Sequence, residues 1–203
     1  MCARYVFWDR NAIKVEAELG LEPGSLSMPQ GDVRPTMSAA VITRGSDDGS
    51  FPLKVRYMNW GILDRSLIIN ARAESVMEKP MFADSFAHRR CVMPAGAFYE
   101  WDKDRNKVTF YDSGKDPIYL AGIYTLSENR DSFVVLTTEA NESMIRVHDR
   151  MPLMIPADSV RDWLYDDGVA RQMLLAKMPE LIKEQDYEQL SLFGDIRFDG
   201  EEE

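Results

Sequence analysis

The sequence predicts a single-domain α+β fold, with a mainly antiparallel β-sheet or barrel-like core and peripheral helices. Strand-like runs outnumber helical ones, the runs are rich in β-branched and aromatic residues, and Gly or Asp interrupts them at short intervals. The length of 203 residues fits one domain, and neither an internal repeat nor a Gly/Ser/Pro-rich linker divides the chain. We expect a folded domain over residues 1–177 and an acidic tail over residues 178–203.

The first predicted element is a helix over Asn11–Leu19, because Ala12, Val15 and Leu19 share one face and Gly20 is a natural stop. Residues 21–36 contain three prolines and are predicted to be a loop. The strand-like runs that follow are Ser38–Thr43, Leu53–Trp60, Leu67–Asn70, Cys91–Met93, Phe98–Trp101, Lys107–Tyr111, Ile118–Thr125 and Phe133–Thr138. Three more helices are predicted over Ala140–Val147, Asp158–Tyr165 and Val169–Lys177.

Composition excludes several classes of protein. No run approaches about 18 apolar residues, so no membrane span is expected, and the N-terminus lacks the pattern of a secretory signal. Two cysteines are too few for a disulfide framework and suit the cytoplasm. With two histidines and no CxxC motif, we expect neither a metal site nor an organic cofactor.

The net charge of −10 first argues against a nucleic-acid partner, but the acids are unevenly placed. Residues 178–203 carry −7, which leaves only −3 for the first 177 residues. A nearly neutral body can still hold a local basic groove, because phosphate binding depends on local placement of charge. Net charge therefore decides little here.

Cys2 is the first candidate for chemistry. Removing Met1 would leave Cys2 with a free α-amine and a thiol on adjacent carbons, with ordinary pKa values of about 8 and 8.5. Such a 1,2-aminothiol reacts with an aldehyde, first forming an imine and then closing a five-membered thiazolidine ring. The alternative is that Cys2 is a small apolar residue at the start of a first strand with Tyr5, Val6 and Phe7. Position alone leaves both interpretations open.

Four segments resemble motifs of the SRAP family, the "SOS-response-associated peptidase" proteins that crosslink to abasic DNA. The resemblance spans residues 1 to about 165 in the right order, and Trp60-Gly61 is similar to the family's tryptophan–glycine turn. The segments are Met1-Cys2-Ala3-Arg4-Tyr5, Asn70-Ala71-Arg72-Ala73-Glu74, Arg89-Arg90-Cys91 running into Pro94-Ala95-Gly96-Ala97-Phe98-Tyr99-Glu100-Trp101, and Val147-His148-Asp149-Arg150-Met151-Pro152. Residues 1–177 would then form an SRAP-like domain.

The resemblance implies four catalytic residues. Cys2 would be the nucleophile, and Asn70 would hold the α-amine or the sugar by hydrogen bonds. Glu100 would move protons as general acid and base, and His148 would assist proton transfer or ring opening. Each has a structural alternative: Asn70 could end a strand, Glu100 could be a surface carboxylate and His148 a capping residue. Strand alternation would place Phe98 and Glu100 on one face, which favours a site.

The resemblance also implies contacts with single-stranded DNA that bears abasic sites. Arginines would bind phosphates, and tryptophans would stack on unpaired bases. The residues are Arg4, Trp60, Arg72, Arg89, Arg90, Trp101 and Arg150. Two positions depart from the family pattern: Ala3 replaces the usual glycine, and Asp32 replaces the usual asparagine, which puts an acid near the DNA path. The alternative is that the arginines solvate the surface and the tryptophans fill the core.

The tail holds a second signal, Gln189-Leu190-Ser191-Leu192-Phe193, which resembles the peptide by which bacterial repair proteins dock on the replication sliding clamp. Gln189, Leu190, Leu192 and Phe193 would make the contacts, with the apolar residues entering a pocket. Alternatively, they cover the domain's own core. We expect a monomer in the bacterial cytoplasm, associated with the nucleoid.

The leading hypothesis is a protein that binds single-stranded DNA and traps abasic sites as a thiazolidine at Cys2, with lyase-type cleavage through an imine open to the same residues. A second hypothesis is a thiol peptidase or autopeptidase using Cys2 and His148. A third is a non-catalytic module that binds single-stranded DNA and is recruited to the clamp.

Overall fold

A computed structural model describes residues 2–27, 31–45, 52–128 and 130–185. The strands are β1 Tyr5–Phe7, β2 Gly31–Val33, β3 Ser38–Arg44, β4 Leu53–Trp60, β5 Ile62–Leu63, β6 Leu67–Ile68, β7 Asn70–Arg72, β8 Arg90–Ala95, β9 Ala97–Trp101, β10 Lys107–Tyr111, β11 Ile118–Thr125, β12 Ser132–Glu139, β13 Arg150–Pro152, β14 Met154–Ile155 and β15 Ile182–Gln185. The α-helices are α1 Ala12–Leu19, α2 Pro80–His88, α3 Val160–Tyr165 and α4 Asp167–Met173. The α+β class predicted from the sequence is confirmed.

The larger sheet has eight strands, in the order β13-β12-β4-β3-β8-β11-β14, with β7 paired to β12. Because β12 pairs with β4 on one side and with β11 on the other, the pairings of β4, β3, β8, β11 and β12 form a closed circuit. The pairings of β12 with β4 and β7 are parallel, and the rest of this sheet is antiparallel.

The smaller sheet has five antiparallel strands in the order β15-β10-β9-β1-β2. Its inner face packs on the larger sheet: Tyr5 of β1 lies with its ring centroid 5.3 Å from that of Trp60, which in turn stacks on Phe133 at 6.1 Å. Phe98 and Phe110 stack beside them at 5.3 Å. All five side chains are buried, because alternate residues of a strand that covers a core point into it.

The residues predicted as a helix over Ala140–Val147 form successive turns instead. Asn141 explains the difference: its side-chain oxygen accepts the backbone N–H of Ser143, and its Nδ2 donates to the carbonyls of Met178 and Pro179. Side-chain bonds of this kind compete with helix formation.

Other boundaries also differ from the expectation. The predicted loop over residues 21–36 contains β2, whose pairing with β1 the three prolines concealed. The fold continues past residue 177, because β15 adds the edge strand of the smaller sheet beside β10. Within the described residues, no helix is long and apolar enough to cross a membrane.

Candidate active site

Cys2 lies in the interior at the point where the two sheets meet. Its side chain is fully buried, and it precedes β1, whose register places Tyr5 opposite Phe98 of β9. The backbone N–H of Tyr99 donates to the carbonyl of Arg4 at 3.0 Å, which continues the pairing toward the chain start. Burial, with a smaller contribution from the Glu100 carboxylate, raises the pKa of the Cys2 thiol to about 12. The thiol is therefore neutral near pH 7.

Asn70 begins β7 and holds the backbone of Cys2. Its Nδ2 donates to the Cys2 carbonyl at 3.0 Å, across 68 residues of chain. Its Oδ1 is buried and accepts no hydrogen bond from the described residues. A buried amide oxygen without a donor costs about 1–3 kcal/mol, so this atom favours an incoming N–H or O–H group.

Glu100 lies in the middle of β9, opposite Val108 of β10. Along this strand the buried residues alternate with half-buried ones: Phe98 and Glu100 point inward, whereas Tyr99 and Trp101 point outward. The Glu100 carboxylate is thus buried on the same side of the sheet as Cys2, and its charge acts on the Cys2 thiol. The arrangement pairs a nucleophile with a carboxylate in surroundings of low dielectric constant.

His148 comes two residues before β13, and its side chain is about one-quarter exposed. Its Nδ1 accepts the backbone N–H of Arg150 at 2.9 Å and also lies 2.9 Å from a carboxylate oxygen of Asp149. Only one contact can be a hydrogen bond at a time, because Nδ1 needs a proton to donate and a lone pair to accept. The backbone donor is fixed, whereas Asp149 is largely exposed and can rotate away.

Arg150 has a structural contact that the sequence analysis did not anticipate. Its guanidinium binds both carboxylate oxygens of Glu74 at 2.8 Å and donates to the carbonyl of Thr137 at 2.6 Å. The ion pair lowers the pKa of Glu74. Glu74 stands in the same motif as Asn70, so the pair ties two of the four motif segments together. The sequence signal that could have predicted this ion pair is the presence of an acid in one motif and an arginine in another.

Arg4, Arg34 and Trp101 cluster around Asp32. Asp32 Oδ2 lies 3.4 Å from Arg4 Nη1 and 3.3 Å from Arg34 Nη2, and the Arg4 guanidinium sits 4.9 Å above the Trp101 ring. Asp32 therefore has two cationic partners, so the net charge of these three side chains is positive. Trp101 is half-buried and Arg72 is exposed, so both can be reached from solvent.

Three of the predicted DNA contacts have other tasks in this structure. Trp60 is fully buried, and its indole N–H donates to the carbonyl of Ile69 at 2.9 Å, which positions the strand that carries Asn70. Arg90 is buried and donates to the carbonyls of Trp163 and Phe86. Arg89 is half-buried and binds Asp84, Ser85 and the carbonyl of Tyr124. Because Trp60 and Arg90 are buried, neither offers an open face or fork to a nucleic acid in this structure.

The chain's other cysteine and its other histidine are Cys91 and His88. Cys91 is a buried thiol whose pKa burial raises well above its usual value. His88 is exposed at the end of α2. In the described part of the chain, no group of three or more His, Cys, Asp or Glu side chains could hold a metal ion. Residues 189–193 lie outside the described residues.

The family model of the SOS response associated peptidases, SRAP, matches residues 1–192 of this chain. The chain belongs to the SRAP family. The match covers all four motif segments and continues past the expected domain boundary at residue 177, in agreement with β15 being part of the fold.

Curated SRAP relatives carry the name "abasic site processing protein". YoaM of Bacillus subtilis is 29% identical over 160 residues, which cover 67% of this chain and 68% of that protein. YedK of Escherichia coli is 28% identical over 111 residues, 51% of this chain and 50% of that protein. HMCES of Xenopus tropicalis is 28% identical over 123 residues, 47% of this chain and 37% of that protein.

Solved structures share the SRAP fold seen here. A phage-related protein from Bordetella bronchiseptica gives a TM-score of 0.75 at 20% identity, covering 91% of this chain and 94% of that one. A protein from Bacteroides thetaiotaomicron gives a TM-score of 0.73 at 20% identity, covering 92% of this chain and 93% of that one.

Proposed function

We propose that this SRAP protein processes abasic sites: after loss of Met1 it binds single-stranded DNA and traps the lesion covalently at Cys2. The proposal depends on the contacts that Asn70 and Glu100 make around Cys2. Asn70 holds its carbonyl, and Glu100 is buried beside its thiol. The names of the curated relatives support abasic sites as the substrate.

The reaction begins at the nitrogen of Cys2. Removal of Met1 converts this nitrogen from an amide into a primary amine, which adds to the C1 aldehyde of the ring-opened sugar. Loss of water gives an imine. The sulfur of Cys2 then adds to the imine carbon, its proton passes to the nitrogen, and a thiazolidine closes. One water molecule leaves in all, and nothing is oxidised or reduced.

Proton transfer in this sequence needs help, because burial and the Glu100 carboxylate both raise the pKa of the Cys2 thiol and so favour its protonated form. Glu100 is the group placed to accept a proton and to return it to the departing hydroxyl. The unpartnered Oδ1 of Asn70 supplies an acceptor for the freed amine or for a sugar hydroxyl. In the proposal His148 is a second proton carrier.

DNA contacts in the proposal come from Arg4, Arg72 and Trp101. Arg72 is exposed two residues after Asn70, and Arg4 lies on the Trp101 ring at the start of the chain. Their cations suit phosphates, and the indole suits an unpaired base. We also propose that residues 189–193 dock on the sliding clamp, as their sequence suggests.

The test mixes Met1-processed protein with single-stranded DNA bearing one abasic site, followed by a denaturing gel. We expect a band of protein bound to DNA that survives denaturation and is missing with undamaged DNA. Cys2→Ala should abolish it, and Cys2→Ser should give no stable adduct. Cys91→Ala is the matched control, since it removes the other buried thiol and should leave the band intact. Glu100→Gln should slow its formation by about 100-fold or more.

Three outcomes would contradict the proposal. Wild-type protein whose free Cys2 amine is verified by mass spectrometry, yet which forms no such band, would exclude covalent trapping. Peptide cleavage without a band would favour the thiol peptidase. Binding that is lost at high salt, again without a band, would favour a non-catalytic DNA-binding module.

A further inference from the structure

The outer face of the five-stranded sheet carries a second apolar cluster, separate from the main core. Val6, Ala97 and Tyr111 are buried there, and Trp8 and Tyr99 pack against them, partly exposed. Strand alternation sends the neighbouring residues inward, to the core. This face therefore lies opposite the side that holds the Cys2 thiol and the Glu100 carboxylate.

Each large aromatic residue on or bordering this face has a cation over its ring. The pattern repeats four times across β1, β9, β10 and the turns beside them. The distances to the ring centroids are 4.9 Å for Arg4 over Trp101, 5.1 Å for Lys107 over Tyr99, 4.4 Å for Arg10 over Trp8 and 5.9 Å for Lys115 over Tyr111.

The aromatic residues form a path rather than isolated spots. Trp101 and Tyr99 are two residues apart on β9, so their side chains are about 6.6 Å apart along one face. Further along, the Trp8 ring lies directly against the backbone of Gly96, where a Cβ would stand 2.2 Å from the indole. A cavity of about 110 Å³ is lined by Trp8 and Tyr111, and by Arg10 and Lys115.

Acids also lie along this path. Asp32 pairs with Arg4 and Arg34, and Glu184, which lines the same cavity, accepts a hydrogen bond from the hydroxyl of Tyr111. Four cations nevertheless lie over the aromatic rings of this face, in a protein whose net charge is −10. Alternating planar rings and positive charges complement a strand of bases and phosphates.

We propose that this outer face, from Trp101 to the cavity between Trp8 and Tyr111, is a second contact surface for single-stranded DNA. It rests on the proposed function, because Trp101, which lies under the Arg4 guanidinium at one end of this path, is one of the DNA contacts proposed there. Nucleotides that extend beyond the lesion lie along Tyr99 and reach Arg10 and Lys115. The face adds affinity for long strands without taking part in the chemistry at Cys2.

The test compares oligonucleotides of about 5 and about 20 nucleotides, each with one abasic site, since single-strand binding surfaces span roughly 4–16 nucleotides. The variant is the double substitution Arg10→Gln, Lys115→Gln, both exposed residues. The matched control neutralises two exposed cations elsewhere, Lys54→Gln and Arg171→Gln. Binding is measured by fluorescence anisotropy at several salt concentrations, with Cys2→Ala present to prevent trapping.

For the long strand, the variant should bind about tenfold more weakly. Its salt slope should be shallower by about 1.4, because each phosphate contact contributes about 0.7 in single strands. The control pair should match the parent protein. In the Cys2-containing protein, trapping of the short strand should be unchanged by Arg10→Gln, Lys115→Gln.

The outcomes separate the two proposals. Failure of the wild-type protein to trap the short strand overturns the proposed function. Normal trapping, with equal salt slopes in the variant and the control, overturns the second surface alone. If the variant instead abolishes self-association in sedimentation and leaves DNA binding intact, the face belongs to a second copy of the chain.

Discussion

Cys2 carries both groups on which the proposed chemistry depends, a thiol and the nitrogen that removal of Met1 would free. Its thiol is held neutral by burial and by the neighbouring Glu100 carboxylate, although a nucleophile reacts through its thiolate. The amine freed by removal of Met1 is therefore the better first nucleophile, and the sulfur acts second, when a proton acceptor is at hand. Asn70 fixes the position of the residue by its bond to the Cys2 carbonyl.

The raised pKa of the Cys2 thiol predicts how it reacts with iodoacetamide in the chain that retains Met1. Because the pKa is about 12 instead of its usual 9.0, the thiolate fraction should rise about tenfold per pH unit from pH 7 to 10 without levelling off. The rate is followed by mass spectrometry of the Cys2 peptide. In denaturant the thiol of the same chain has its usual pKa, so the rate should bend near pH 9 and level off by about pH 10. A plateau below pH 8 in the folded chain would mean that the site stabilises the thiolate.

At the scale of elements, the pair of Glu74 and Arg150 connects parts of the fold that are 76 residues apart in the chain. Glu74 follows β7, which carries Asn70, and Arg150 begins β13, which follows His148. Both strands flank β12, since Thr137 pairs with Arg72 on one side and with Pro152 on the other. The pair thus fixes the spacing of the two segments that carry the candidates Asn70 and His148. We therefore expect Arg150 to position these segments.

Glu74→Gln should lower stability by about 1 kcal/mol at pH 7, a modest effect because Glu74 is 42% exposed and solvent screens the pair. The ion pair lowers the pKa of Glu74 in the folded chain, so this stabilisation exists above the usual value of 4.5 and is lost as the pH falls below it. Urea unfolding at pH 7 and pH 3 measures the difference between wild type and variant.

Exposed Glu78→Gln, in the turn before α2, is the control for loss of one charge. Glu78→Gln should change the free energy of unfolding very little at pH 7 and at pH 3. A difference between wild type and Glu74→Gln that is as large at pH 3 as at pH 7 would show that the carboxylate charge does not stabilise the fold.

At the scale of the whole molecule, most of the net negative charge falls in one part of the sequence. Residues 178–203 carry −7 of the net charge of −10, whereas Arg4, Arg72 and the cations over the rings of the smaller sheet lie earlier in the chain. Local positive charge on that side lets a polyanion approach an acidic protein. Clamp docking through the tail would hold that side near replicating DNA.

Deletion of residues 189–193 should abolish binding to the sliding clamp and leave the melting temperature unchanged, because we expect these residues to enter a pocket of the clamp and not the core of this domain. Surface plasmon resonance and thermal unfolding measure the two quantities. Deletion of residues 199–203, which removes four acids but no Leu or Phe, is the control and should retain binding. A large fall in melting temperature after the first deletion would instead mean that these residues cover the core.

The sequence by itself determined the α+β class, most of the long strands and the identity of Cys2, Asn70, Glu100 and His148 as candidates. Strand alternation suffices for the fold class and the strands, whereas the four candidates depend on the resemblance of their motifs to the SRAP family. Only the tertiary structure decided that Trp60 and Arg90 are buried, that Arg89 binds Asp84, that Arg150 pairs with Glu74 and that Asn141 replaces a helix with turns. Burial and pairing depend on strands distant in sequence, and short-range patterns do not record which partner a side chain meets.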